Sequence, residues 1–180
     1  MTKTLSLLRH AKSSWDDSVP TDFDRPLNDK GKKAAEIMGR WLAREGLRFD
    51  HVIASPAVRV KETIANIEAG YGGALGAEWD RKLYLAATAT LYEVLRECSS
   101  DADHMLIIGH NPTLEDAACE LARKTDDPLV QQLYEKYPTG TYAQICLDID
   151  SWDDVAPDTG TLTHFKRPRD LDPSLGPDRV

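Results

Sequence analysis

The sequence predicts an α/β fold, a three-layer α/β/α sandwich around a mostly parallel central sheet. Three observations predict it. Short apolar runs recur along the chain at "TLSLL", "DHVIAS" and "HMLIIGH". Each is followed, directly or after a loop, by apolar residues at helical spacing. The 180 residues suit one domain that can bury a core without disulfides or metals.

The elements follow in order. Residues 4–8 predict a buried first strand. Residues 13–27 are polar and broken by Pro20 and Pro26, so they predict a long loop, a place where function often sits. Asn28 is placed to cap a helix whose apolar stripe is Ala34, Ile37, Met38, Trp41 and Leu42, with Gly46 as its stop. Residues 50–55 predict a second strand. Ser55 and Pro56 then read as N-cap and first helical residue of a helix to about Glu68. Residues 77–84 predict an edge strand. Leu91, Val94, Leu95 and Cys98 form one face of a helix over 89–98. Residues 104–110 predict the next central strand, and 111–123 a helix carrying Leu114, Ala117, Ala118 and Leu121. A helical stretch at 128–137 and strands at 141–149 and 161–167 complete the domain, the late pair suiting antiparallel partners. One domain spans 1–171, and 172–180 reads as a frayed C-terminal tail.

Composition narrows the function. The net charge of -8 argues against generic binding to nucleic acid or anionic membranes, which needs excess Lys and Arg. Cys98, Cys119 and Cys146 are far apart and form no C-x-x-C pair, so they read as thiols in a reducing compartment. The first residues lack a signal-peptide pattern and no segment reaches membrane-spanning length, so a cytoplasmic protein is expected.

The chemistry collects where strands end. In open α/β sheets, ligands bind beyond the carboxyl ends of the strands. The first strand runs into Arg9 and His10. The second runs into Ser55, with Arg59 in the turn that follows. The third runs into His110 and Asn111. Two arginines and two histidines on one sheet edge suit a phosphoryl group. Guanidinium donors match phosphate oxygens, and helix N-termini add N–H groups. A neutral imidazole can attack phosphorus, and a second, if protonated, can stabilise the equatorial oxygens. This chemistry requires no metal or cofactor, and the P-loop pattern is absent.

"LLRHAKSSW" resembles the signature of the histidine phosphatase superfamily. Ala11 and the Lys-Ser-Ser-Trp after it resemble the SixA-like branch, the protein phosphohistidine phosphatases. Matching segments follow in the family's order: "DRPLNDKGKKAA", "SPAVRVKET", "LY", "GHNPTLE", "KYPTG" and "FKRPRDL". The resemblance implies a phosphoglycerate mutase-like fold and a metal-independent phosphatase without a cofactor. It implies His10 as the nucleophile that becomes phosphorylated, Arg9 and Arg59 as the phosphate grip, His110 as the second histidine, and Asn111 near the pocket. The implied substrate is phosphohistidine on a protein partner. Alternatives are a phosphomonoesterase or mutase acting on small phosphorylated metabolites, or a non-catalytic phosphate-binding module. Intact His10 weighs against the last.

Other positions carry two readings each. Lys12, Ser13 and Ser14 either donate to phosphate or cap a turn. Trp15 either walls the pocket or covers core. "KRPR" at 166–169 reads as a solvated face. His51, His104 and His164 match no motif position and read as structural or surface residues. The general acid is open among Asp16, Asp17, Asp22 and Asp24 of the long loop, with Asp22 and Asp24 first because they precede "RPL". Glu93 fits a capping box with Thr90, and Glu115 the acid-rich first turn of a helix.

Overall fold

The computed structural model describes residues 2–15, 18–98 and 101–177. Six strands among them form one sheet: β1 (Lys3–Arg9), β2 (His51–Ala54), β3 (Glu78–Trp79), β4 (His104–Gly109), β5 (Tyr142–Leu147) and β6 (Gly160–Lys166), in the order β3-β2-β4-β1-β5-β6. The β3, β2, β4 and β1 neighbours pair in parallel, while β5 runs antiparallel to both β1 and β6. The sheet is therefore the mostly parallel one expected, with antiparallel pairing confined to the late strands.

Helices cover both faces, which explains the nearly continuous apolar strands. Leu5, Leu7, Met105 and Ile107 point into one core with α3 (Thr88–Arg96), α4 (Thr113–Leu121) and α5 (Pro128–Glu135). Leu8, Leu106 and Ile108 point into the other with α1 (Asp29–Arg44) and α2 (Val58–Tyr71). Alternation along each strand divides these residues between the layers. Asn28 caps α1 by accepting from the Gly31 N–H at 2.8 Å, and Gly46 ends it with φ +69.

Three expectations are corrected. Helix α2 begins at Val58 with Ala57 at its N-cap, so Ser55 and Pro56 precede it; the Ser55 hydroxyl accepts from the Ala57 N–H at 3.4 Å and meets His110 at 2.7 Å. Of the expected tail, the segment 172–177 is docked, not frayed, and 178–180 lie outside the described residues. Residues Pro173–Leu175 form a 3-10 turn, Lys33 pairs with Asp172 at 2.8 Å, and Lys30 donates to the Gly176 carbonyl at 2.6 Å. The "KRPR" stretch is not simply a solvated face. Arg167 is buried against Asp170, and Pro168 opens a short helix α6 (Pro168–Leu171). Among the described residues, no helix is long and apolar enough to cross a membrane.

Candidate active site

Register builds the site. β1 and β4 are parallel neighbours with Arg9 opposite Gly109, so His10 and His110 leave the sheet side by side. Their ring centroids lie 5.2 Å apart, close to one strand spacing. β2 lies on the far side of β4, with Ala54 opposite Ile108, which brings Ser55 beside His110. Arg59, one residue into α2, reaches back between the imidazoles.

Hydrogen bonds settle the state of both rings. A carbonyl can only accept and a guanidinium can only donate. His10 therefore donates from Nδ1 to the Ala11 carbonyl at 2.7 Å, and its Nε2 lone pair meets the Arg59 Nε–H at 3.4 Å. His110 accepts on Nδ1 from Arg59 Nη2 at 3.2 Å and donates from Nε2 to the Ser55 hydroxyl at 2.7 Å. Both imidazoles are neutral. Burial lowers His10 to about 3, opposed by the Ala11 bond and helped by His110, Arg59 and Arg9. Burial and then Arg59 lower His110 to about 4.

The surrounding structure holds this arrangement. The Ala11 N–H donates to the Thr63 hydroxyl at 3.0 Å, and that hydroxyl donates to the Arg59 carbonyl at 2.6 Å. Helix α1 packs so closely on the loop after His10 that a Cβ at Gly31 would lie 2.1 Å from the Lys12 carbonyl oxygen. On the other side, Gly140, with φ +77, turns its N–H to the Arg9 and His10 carbonyls at 3.1 and 2.9 Å. The Tyr137 carbonyl accepts from Arg9 Nη1 at 2.8 Å and from Asn111 Nδ2 at 3.1 Å.

These groups open onto a cavity of about 770 Å³. Arg9, His10, Arg59 and His110 all line it, as do Lys12, Ser13 and Asn111. Trp15 is 82% exposed at its mouth, so of its two readings the wall is the one observed. Lys30, Arg25, Lys136 and Arg169 add further cations, and no Asp or Glu among the described residues lines it. In a chain of net charge -8, the cations are gathered here. Such a cavity focuses a field that attracts anions. Among the described residues, no group of three or more His, Cys, Asp or Glu could hold a metal ion.

The acid candidates separate. Asp24 accepts from the Thr21 hydroxyl at 2.5 Å and is not among the cavity residues. Asp22 does not line the cavity either, but it grips Arg59. Its carboxylate accepts from Arg59 Nη2 at 3.1 Å, Arg25 Nε at 2.9 Å and the Tyr84 hydroxyl at 2.9 Å. Desolvation pushes its carboxyl up, but the Tyr84 bond and the Arg59 and Arg25 charges outweigh it and hold the group below the ordinary range. Asp22 thus orients an arginine and stays ionised. Glu93 is exposed inside α3 and Thr90 is helical, so their capping box is not formed. Glu115 accepts from Asn111 at 2.8 Å. Asp16 and Asp17 lie outside the described residues. Ser55, Thr63, Tyr84 and the Tyr137 carbonyl hold the site through contacts that no sequence motif reports.

A sequence model of the histidine phosphatase superfamily (branch 1) matches residues 5–83. Protein Rv1276c of Mycobacterium tuberculosis is 33% identical over 164 residues, 90% of this chain and 100% of that one. The chain belongs to the histidine phosphatase superfamily. Two solved structures, each of a candidate phosphohistidine phosphatase SixA, match it across most of their length. The one from Nakamurella multipartitia has a TM-score of 0.79 at 27% identity, covering 93% of this chain and 97% of that one. The one from Agrobacterium tumefaciens has a TM-score of 0.74 at 28% identity, covering 92% and 98%. Within the superfamily this histidine phosphatase falls in the SixA-like branch, and its sheet and helices are those of the phosphoglycerate mutase-like fold.

Proposed function

We propose that this histidine phosphatase hydrolyses phosphohistidine on a protein through a phosphoenzyme on His10. One observation carries the mechanism: the Ala11 carbonyl fixes the proton of His10 on Nδ1, leaving the Nε2 lone pair against Arg59 in the lining of the cavity. A nucleophile that is neutral and oriented before substrate arrives needs no base.

Two displacements follow. His10 Nε2 attacks phosphorus while Arg9 and Arg59 stabilise the equatorial oxygens. The bond from phosphorus to the substrate nitrogen breaks, and the leaving imidazole keeps the electron pair. Water then attacks phosphorus, the bond to Nε2 breaks, and phosphate leaves with His10 restored. Lys12, Ser13 and Asn111 act as further substrate contacts. His110 shares Arg59 with His10 and steadies that guanidinium beside the phosphoryl group.

The substrate class rests on the leaving group. An alkoxide needs a proton donor, and the Tyr84 bond with the Arg59 and Arg25 charges holds the Asp22 carboxyl below its ordinary range, which suits that residue poorly to the role. Imidazole, basic near neutral pH, carries its own proton and leaves without one. The likeness to the two SixA phosphohistidine phosphatase structures supports the same class. The test is a panel of phosphohistidine, phosphoserine and phosphotyrosine peptides and small sugar phosphates, run on the wild type and on His10→Ala. Turnover of phosphohistidine peptides well above the others, lost in His10→Ala, supports the assignment. Faster turnover of sugar phosphates contradicts it.

A further inference from the structure

The segment after the 3-10 turn Arg81–Leu83 has a backbone that the reaction does not require. Leu85 has φ +55, a left-handed conformation that L-residues with a Cβ rarely adopt. Both neighbours pin it. The Tyr84 hydroxyl donates to Asp22, with the Tyr84 ring edge-on to His110 at 5.5 Å, and the Ala86 carbonyl accepts from the Thr113 hydroxyl. Held between them, the Leu85 side chain is 77% exposed and lines the cavity mouth. Trp15, stacked under Arg25 at 4.0 Å, stands at the same mouth. Lys136 and Arg169 add charge to the rim.

A small phosphate ester fits within the cavity and has no use for an exposed leucine at its entrance. Apolar anchors ringed by cations suit a macromolecular partner of opposite charge. Resting on the proposed phosphohistidine activity, we infer that the mouth is a docking surface for an acidic protein segment that carries the phosphoryl group and an apolar side chain seated on Leu85. The basic rim selects acidic flanks, and the strained backbone presents the anchor.

Three substrates test this: free phosphohistidine, a phosphohistidine peptide flanked by Asp, Glu and Leu, and one flanked by Lys and Ser. The acidic peptide is expected to exceed the basic one in kcat/KM by about 10-fold at low ionic strength, an advantage that salt erodes. Leu85→Gly suits φ +55, so the fold is retained, while kcat/KM for the acidic peptide falls about 5-fold. Free phosphohistidine stays unchanged, and Leu85→Met restores the peptide rate. Arg169→Glu narrows the preference for the acidic peptide several-fold, and an unchanged preference overturns the role of the basic rim. Equal turnover of both peptides, or an unchanged acidic-peptide rate in Leu85→Gly, overturns the docking surface and leaves the phosphohistidine activity standing. Absence of turnover on all three substrates overturns that activity and the docking surface with it.

Discussion

Strand β4 has a histidine at each end, and the two have opposite fates. His104 opens the strand and His110 follows its last residue. Burial lowers the pKa of both. The Nε2 of His104 is taken by the Ser6 hydroxyl at 2.8 Å and lies 3.2 Å from Gln144 Nε2, with Phe49 edge-on at 4.9 Å. Tyr142 closes that network through Ser6 at 2.6 Å. His110 instead shares a guanidinium with His10 and faces a cavity lined by cations. A depressed imidazole pKa therefore does not mark a reactive group. What distinguishes the reactive end is a His10 Nε2 whose lone pair rests against an arginine in the lining of a cavity, with a local excess of positive charge.

The largest expected difference between the ends comes from deleting each imidazole. His10→Ala is expected to lower kcat by at least about 10³-fold, the loss of a nucleophile rather than of packing. His104→Gln should leave kcat within about 3-fold and lower stability by about 1–2 kcal/mol, read from denaturant unfolding. Comparable losses of kcat at both positions would erase the distinction. Arg59→Lys keeps the charge but loses the fork that meets His10, His110 and Asp22 together, so kcat/KM should fall about 10²-fold with the fold intact.

Acid sharpens the comparison further. His10 and His110 ionise at about 3 and about 4 in the folded chain and near 6.5 when unfolded. The unfolded chain thus binds protons first, and stability that is complete above about pH 6.5 is lost as pH falls toward 4. Two such groups give a slope of about 2–3 kcal/mol per pH unit in that window. The variant His10→Asn/His110→Asn should flatten it, and an unchanged slope would place the titrating groups elsewhere. Among the groups around the reactive pair, the smallest effect belongs to Thr63→Val, which releases the Ala11 N–H that steadies the carbonyl behind His10. We expect a loss of several-fold in kcat with little change in KM, whereas a purely structural role would leave both unchanged.

Much of the fold was legible because parallel strands buried on both faces read as apolar runs and the helices between them as stripes. The four central side chains were legible because each follows a strand end or opens a helix, where position in sequence fixes position on the sheet edge. The supports were not. Thr63 and Tyr84 reach the site through helix phase and loop packing that local patterns do not encode. Tyr137 acts through its main-chain carbonyl, which no side-chain type reports. Ser55 looked like a helix cap because the same residue types serve both purposes. The docked 172–177 segment depends on Lys30 and Lys33, more than 130 residues away along the chain.

The most direct test is to trap the phosphoryl group. Brief reaction of the wild type with a radiolabelled phosphohistidine peptide, quenched in base, should leave acid-labile label that peptide mapping assigns to His10, and His10→Ala should take up none. Label on any other residue, or steady turnover by a variant without that imidazole, would contradict the mechanism.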